Sequence, residues 1–123
     1  MTRTWTIAGA LILGLAPATP AIAHHGWAWA TAQEFELSGT VKHVRHGNPH
    51  GIMLLTTASG EWTVEIGQPW RNEQAGLTPQ LLRPGIRLLV HGHRSARNGE
   101  RLMKAERIVI AGRSYNLYPD RPS

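Results

Sequence analysis

The sequence predicts an all-β domain in which five strands close into a small antiparallel barrel, with one short helix between the third and fourth strands. Three observations carry that reading. Apolar and polar residues alternate with period two in several short segments, and turn-forming pairs separate those segments. The alternation breaks for any length in one place, QPWRNEQAGLTPQLLRPG at 68–85.

The first strand opens at Phe35, with Leu37, Gly39 and Val41 on one side. The next apolar residue is Val44 rather than position 43, so the register slips near His43, and with Gly39 this reads as a bulge or bend in a long strand. GNPHG at 47–51 is a turn. Gly51 to Thr57 is a second strand, and Ala58-Ser59-Gly60 closes a hairpin into a third, Glu61 to Ile66, with Trp62, Val64 and Ile66 sharing a side. Pro69 starts the short helix and Gly76 ends it, while Thr78-Pro79 has the form of an N-cap followed by proline at the first helical position. Pro84-Gly85 turns into a fourth strand with Ile86, Leu88 and Val90 inward, Asn98-Gly99 signals a hairpin, and the fifth strand runs from Arg101 to about Ile110. Three strands, a helical connection and two strands is the order of the OB-fold, so the barrel is expected to be OB-like.

Ahead of this domain, Arg3, the uncharged apolar run Ile7 to Leu15, Pro17, Pro20 and Ala21-Ile22-Ala23 form the pattern of a cleavable secretory signal peptide. The run is too short for a membrane span. The expected organisation is therefore a signal peptide at 1–23, an N-terminal arm at 24–34, the barrel at 35–118 and a tail at 119–123, in a periplasmic protein. Cleavage after Ala23 leaves one domain's length of chain, without cysteine and hence without disulfide or thiolate chemistry. Arg3 leaves with the leader, so 12 of the 13 Lys+Arg face 8 Asp+Glu, a net charge of +4 that suits anionic ligands or surfaces but is too small to call for nucleic acid.

All 7 histidines lie beyond the leader and fall in three groups: His24 and His25; His43, His46 and His50; His91 and His93. In an OB-like barrel the loop between strands one and two and the loop between strands four and five flank the usual ligand surface. The second and third groups lie at those two loops, and residues two apart on a strand share a face, so His91 and His93 point together. Clustered neutral imidazoles without thiolates suit copper or zinc. The metal ligands expected from this pattern are His50 and His93, then His25, His24, His91 and His46, with His43 assigned to the bulge. A chain beginning at His24 adds a free α-amine, which with its own imidazole forms a chelating brace.

Trp27 and Trp29 are expected to pack the arm against the barrel, and Trp70 is either a core or a stacking residue. Met53 beside Trp62 offers a weaker soft-metal pair by fold analogy. Ser38, Ser59, Ser95 and Ser114 lack a nucleophile-elbow setting, and Glu61 and Glu65 read as an outward-facing pair, so no catalytic constellation stands out. Arg83, Arg87, Arg94, Arg97 and Arg101 read as a solvated face. The functional expectation is a non-catalytic metal-binding protein, copper first and zinc second. The rival is a barrel-mouth module for an anionic small molecule or partner protein, and an enzyme built on the brace is a third reading.

AHHGW, GNPHG, EWTVEIGQP and LRPGIRLLVHGHRSARNG together resemble a family of small exported bacterial proteins catalogued as a domain of unknown function. His24, His25, Asn48, Pro49, His50, Gly92, His93 and Gly99 stand at its motif positions. Gly26 replaces the serine of many relatives, and EIGQP stands where small residues are common. The resemblance implies export and one compact domain, and it supplies no activity.

Overall fold

A computed structural model describes residues 26–121, together with Thr2; the rest of the expected leader, and His24 and His25 of the expected arm, lie outside the described residues. The elements are β1 Phe35–Arg45, β2 Ile52–Thr57, β3 Gly60–Glu65, α1 Pro69–Gln74, β4 Arg87–Arg94, β5 Leu102–Ile110 and β6 Arg113–Asn116. The sheet order is β3-β2-β1-β4-β5-β6, and β3 also pairs with β5, closing five strands into the OB-like barrel. Four of its seams are antiparallel as expected, but the closing β3–β5 seam is parallel, with Thr63, Val64 and Glu65 beside Leu102, Met103 and Lys104. A mixed barrel follows from the strand number, because five strands with four antiparallel seams must meet in parallel at the fifth.

Alternation fills the interior. Leu37 and Val41 from β1, Met53 and Leu55 from β2, Trp62 and Val64 from β3, Leu88 and Val90 from β4, and Met103, Ala105 and Ile108 from β5 are buried together. Each fully buried aliphatic side chain contributes about 1.5–3 kcal/mol relative to exposure. Met53 is wholly inside this core and packs as an apolar residue. The slip in β1 is the expected bulge: pairing passes from Val41↔Leu55 to His43↔Leu54, which leaves Lys42 as the extra residue. Gly39 lets the strand bend against β2, since a Cβ there would stand 2.9 Å from the Thr56 carbonyl oxygen.

The connection after β3 differs from its expected form in one respect. Pro69 opens α1, and Gly76, at φ 81°, follows its end. Thr78-Pro79 starts no second helix; Leu81 N–H bonds to the Thr78 carbonyl and Leu82 N–H to that of Pro79, giving turns that bury Leu82. Beyond β5 the chain turns through Ala111-Gly112 into β6, a sixth strand that the sequence pattern does not predict and that pairs with β5 along Arg107–Ile110. This closing stretch buries Tyr115, Leu117 and Tyr118 against the barrel. Among the described residues no helix is long and apolar enough to cross a membrane.

Pairing between β4 and β5 also slips: His91 pairs with Arg107 but Gly92 with Ala105, so Glu106 is the extra residue. The strands approach so closely here that a Cβ on Gly92 would collide with the backbone carbonyl of Lys104. Gly92→Ala is therefore expected to destabilise the fold by about 1–3 kcal/mol, a fall of roughly 4–8 °C in Tm per kcal/mol for a domain this size. Thermal unfolding followed by circular dichroism checks this, and a Tm within a degree of the parent would show that the strands separate freely there.

Candidate functional site

Four consecutive residues of β5, Met103 to Glu106, are all buried, which strand alternation alone cannot produce in a one-layer barrel. Met103 and Ala105 join the core. Lys104 and Glu106 therefore project from the outer side, and the bulge at Glu106 returns Ile108 to the core. Register supplies their neighbours: Lys104 lies opposite His93 on β4 and beside Glu65 on β3. Glu65 is buried with them rather than paired outward with Glu61, which is exposed and bonded to Lys42 at 2.7 Å.

Two chain segments roof this outer face. From the N-terminal side come Gly26 and Trp27; from the C-terminal side come Tyr118 and Arg121. The Lys104 ammonium donates to the Gly26 carbonyl at 2.9 Å, stands 3.3 Å from Glu65 Oε1, and lies 4.8 Å from the Trp27 ring centroid and 5.7 Å from that of Tyr118. Trp27 meets Tyr118 edge-on at 5.0 Å and His93 edge-on at 5.5 Å, with the Arg121 guanidinium 3.8 Å over its ring. Farther along, the arm is stitched down by an isolated bridge between Ala30 and Ser95 and by Thr31 N–H bonding to the Arg94 carbonyl at 2.8 Å. The expected role of Trp27 as a packing residue of the arm holds.

The histidines divide by environment. His93 is buried, with Nδ1 2.9 Å from the Thr31 carbonyl oxygen and 3.1 Å from that of Gln33, and Nε2 2.9 Å from Glu106 Oε2. The two carbonyls can only accept, so Nδ1 donates to them, and Nε2 faces the Glu106 carboxylate. Both ring nitrogens are thus engaged, and a metal ion there would have to displace one partner. His91 is half-buried, with Nδ1 3.1 Å from Glu36 Oε1 and 3.7 Å from Glu34 Oε1. His93 and His91 are thus held by different carboxylates. His50 is half-buried at the end of the β1–β2 loop, after the cis Asn48–Pro49 peptide, with Nε2 3.6 Å from Glu65 Oε1. His46 is exposed on that loop and lines a hollow of about 320 Å³ beside α1, with Glu73 and Pro79. His43 is exposed beside the bulge. Among the described residues, no three histidine or carboxylate side chains are grouped to hold a metal ion. Of the expected ligands that are described, His50 alone has its imidazole facing the carboxylate of the Glu65–Lys104 pair.

Arg94 departs from the expected solvated face; its guanidinium lies 5.3 Å over Phe35 and 5.6 Å over Trp62. Lys104, Glu106 and Tyr118 carry no functional signal in the sequence pattern, and Glu65 reads there as an outward-facing residue. The signal that could have found them is the apolar triplet Tyr115, Leu117 and Tyr118 after the last expected strand, which needs a surface to cover.

Burial first, and neighbouring charge second, shifts two groups of the roofed face. Burial lowers the Lys104 pKa below its ordinary 10.5, against the pull of Glu65, and Arg121 and Arg71 lower it further. Burial raises the Tyr118 pKa above its ordinary 10.0, with Arg71 opposing.

Fold and site together define an OB-like barrel with a polar cluster roofed by the segments before β1 and after β6. The chain belongs to the Family of unknown function (DUF6152), whose model matches residues 13–104. No curated protein matches it. Among solved structures it is similar to the ZRD-deleted mutant of TiaS in complex with agmatine, at 21% identity over 63% of this chain and 21% of that one, TM-score 0.50. It is similar also to TiaS in a complex with tRNA and ATP, at 20% identity over 63% of this chain and 18% of that one, TM-score 0.50. The chain thus spans about a fifth of the length of those proteins, and the likeness is one of fold.

Removing the Lys104 ammonium leaves the Glu65 carboxylate without its closest cation, a loss expected to cost about 3–5 kcal/mol. Urea unfolding should show that loss in Lys104→Met and recovery of most of it in Lys104→Met/Glu65→Leu. The lowered lysine pKa also sets a sign. Below 10.5 the unfolded chain binds more protons at this residue than the folded one, so stability rises with pH on the approach to that value. Tyr118 opposes the trend only above 10.0. The rise should be present in the parent and absent from Lys104→Met; equal slopes would mean that Lys104 is solvated.

Proposed function

We propose that the protein is a periplasmic, non-catalytic metal-binding protein, for copper first and zinc second, whose site joins His50 and Glu65 to the His24-His25 pair. The observation that carries this reading is the Lys104 ammonium, which holds the Gly26 carbonyl at 2.9 Å and Glu65 at 3.3 Å. It ties the start of the arm to the carboxylate that faces His50. His25 directly precedes Gly26 in the sequence, which supports its place in the donor set. His50, Glu65, His25 and either the imidazole or the freed α-amine of His24 make a four-donor nitrogen and oxygen set, which suits tetrahedral zinc or tetragonal copper. His93 becomes a positioning residue, holding the arm through the Thr31 and Gln33 carbonyls, and His91, held by Glu34 and Glu36, stands outside the site.

The anionic-ligand reading has its own support in Arg71, Lys104 and Arg121, which gather around Tyr118 and Trp27. Each of them already faces a carboxylate, of Asp120, Glu65 and Glu106 respectively. That leaves little unmatched positive charge for an anion, and the metal reading is preferred.

Calorimetry with Cu(II) and Zn(II) on the chain beginning at His24 tests it. One equivalent is expected to bind, with affinity at least about tenfold weaker in His50→Ala and in His25→Ala, and unchanged in His91→Ala. Absence of binding, or equal affinity in all four proteins, would hand the site to the anionic-ligand reading.

A further inference from the structure

Trp70 takes no part in the roofed cluster or the core, yet it is held in place. It is 54% exposed, the single large hydrophobic side chain so exposed among the described residues. Its indole N–H donates to Gln68 Oε1 at 3.0 Å, and the Arg71 guanidinium lies 4.6 Å over its ring. Arg71 is fixed in turn: it stacks on Tyr118 at 4.5 Å, donates to the Leu117 carbonyl at 3.4 Å, and stands 3.9 Å from Asp120 Oδ1. A guanidinium over one face leaves the exposure of Trp70 on its other face and edges.

Beside this ring, α1 and the segment after β6 enclose an open hollow of about 350 Å³, lined by Trp70, Arg71, Gln74, Asn116, Leu117 and Asp120 among others. That volume falls in the range of small-molecule sites. Asn116 Oδ1 accepts the Tyr118 N–H at 3.1 Å, so its amide nitrogen is left to donate elsewhere. The rim therefore offers amide donors and acceptors from Gln74 and Asn116 and a carboxylate from Asp120, next to a fixed aromatic plane. The Arg71–Asp120 pair balances its own charge, which disfavours a strongly charged ligand.

We propose that this hollow is a saccharide-binding site, with Trp70 as the stacking platform for the C–H face of a neutral sugar ring and Gln74, Asn116 and Asp120 as partners of its hydroxyls. A sugar presents an apolar face and a perimeter of groups that both donate and accept, which matches a fixed ring bordered by amides and a carboxylate. A nucleotide would share the stacking but bring phosphate charge to a rim whose arginine is already paired. The site is independent of the metal reading, since none of its residues belongs to that donor set.

The test uses the β-1,4-linked trisaccharide of N-acetylglucosamine and maltotriose as neutral probes, with adenosine monophosphate as the charged stacking control. Binding is followed by the indole N–H resonance of Trp70 in 15N-labelled protein and by calorimetry. At least one sugar should shift that resonance saturably. Trp70→Ala should weaken calorimetric binding at least about tenfold, while Trp70→Phe should retain part of it. Unchanged Tm and unchanged response to copper in Trp70→Ala would show that fold and the other site are intact. The proposal is overturned if neither sugar binds saturably, if Trp70→Ala binds as the parent does, or if adenosine monophosphate binds more tightly than both sugars.

Discussion

A lysine ammonium placed on the outer side of a barrel strand, and then buried, is the constraint around which this molecule is organised. Lys104 is 1% exposed. A charge taken from water costs several kcal/mol unless it is paired and bonded. The chain supplies Glu65 from β3, the Gly26 carbonyl from the arm and the ring faces of Trp27 and Tyr118. Those partners come from separate parts of the sequence, so pairing the lysine fixes β3, the arm and the tail relative to β5. A buried ion pair is seldom a strong net source of stability, since an apolar pair of the same volume often does as well. What the lysine contributes here is placement: an arm shifted by one residue would leave the ammonium without the Gly26 oxygen.

The two bulges make that arrangement available. In a regular β5, side chains would alternate strictly, and Ala105 inward would leave Glu106 outward but Ile108 outward too. The extra residue at Glu106 restores Ile108 to the core opposite Val90 while keeping the carboxylate on the roofed side, where it meets His93. Gly92 permits the close approach of β4 that the bulge requires. His93 then turns two arm carbonyls toward the barrel. The β1 bulge works at the other end of its strand, where Lys42 is left over and reaches Glu61 across the surface.

Most of the barrel was legible because its strands are half-buried and their period shows directly in the sequence. Phe35 to Val41, Met53 to Leu55 and Trp62 to Val64 alternate cleanly, and the missing apolar residue at 43 marked the bulge. Proline and glycine framed α1 correctly at Pro69 and Gly76, whereas Thr78-Pro79 carried a helix-start signal that the short path to β4 had no room to continue. The cluster was less legible. Glu65 reads as outward-facing and Lys104 and Glu106 carry no signal, because their cover comes from residues far away along the chain. His50 and His93 were visible as clustered imidazoles, but spacing cannot tell a ligand from a clasp. For His93 the distinction lies in Thr31, Gln33 and Glu106, which occupy both of its nitrogens.

The same electrostatics decide which donors a metal ion could use in this molecule. Glu65 already shares its charge with Lys104 and faces His50, and Glu106 shares its charge with His93 and Arg121. A divalent ion attracted by Glu65 alone would stand close to the Lys104 ammonium that already pairs with that carboxylate, in buried surroundings that weaken screening. Carboxylate attraction by itself would then be largely cancelled. Neutral imidazoles and a neutral amine bind metal through lone pairs and bring no countercharge of their own. A set rich in such donors, with one carboxylate, is therefore better suited to this surface than an acidic one. The His24-His25 pair, joined directly to the residue whose carbonyl Lys104 holds, is the nearest source of them in the sequence.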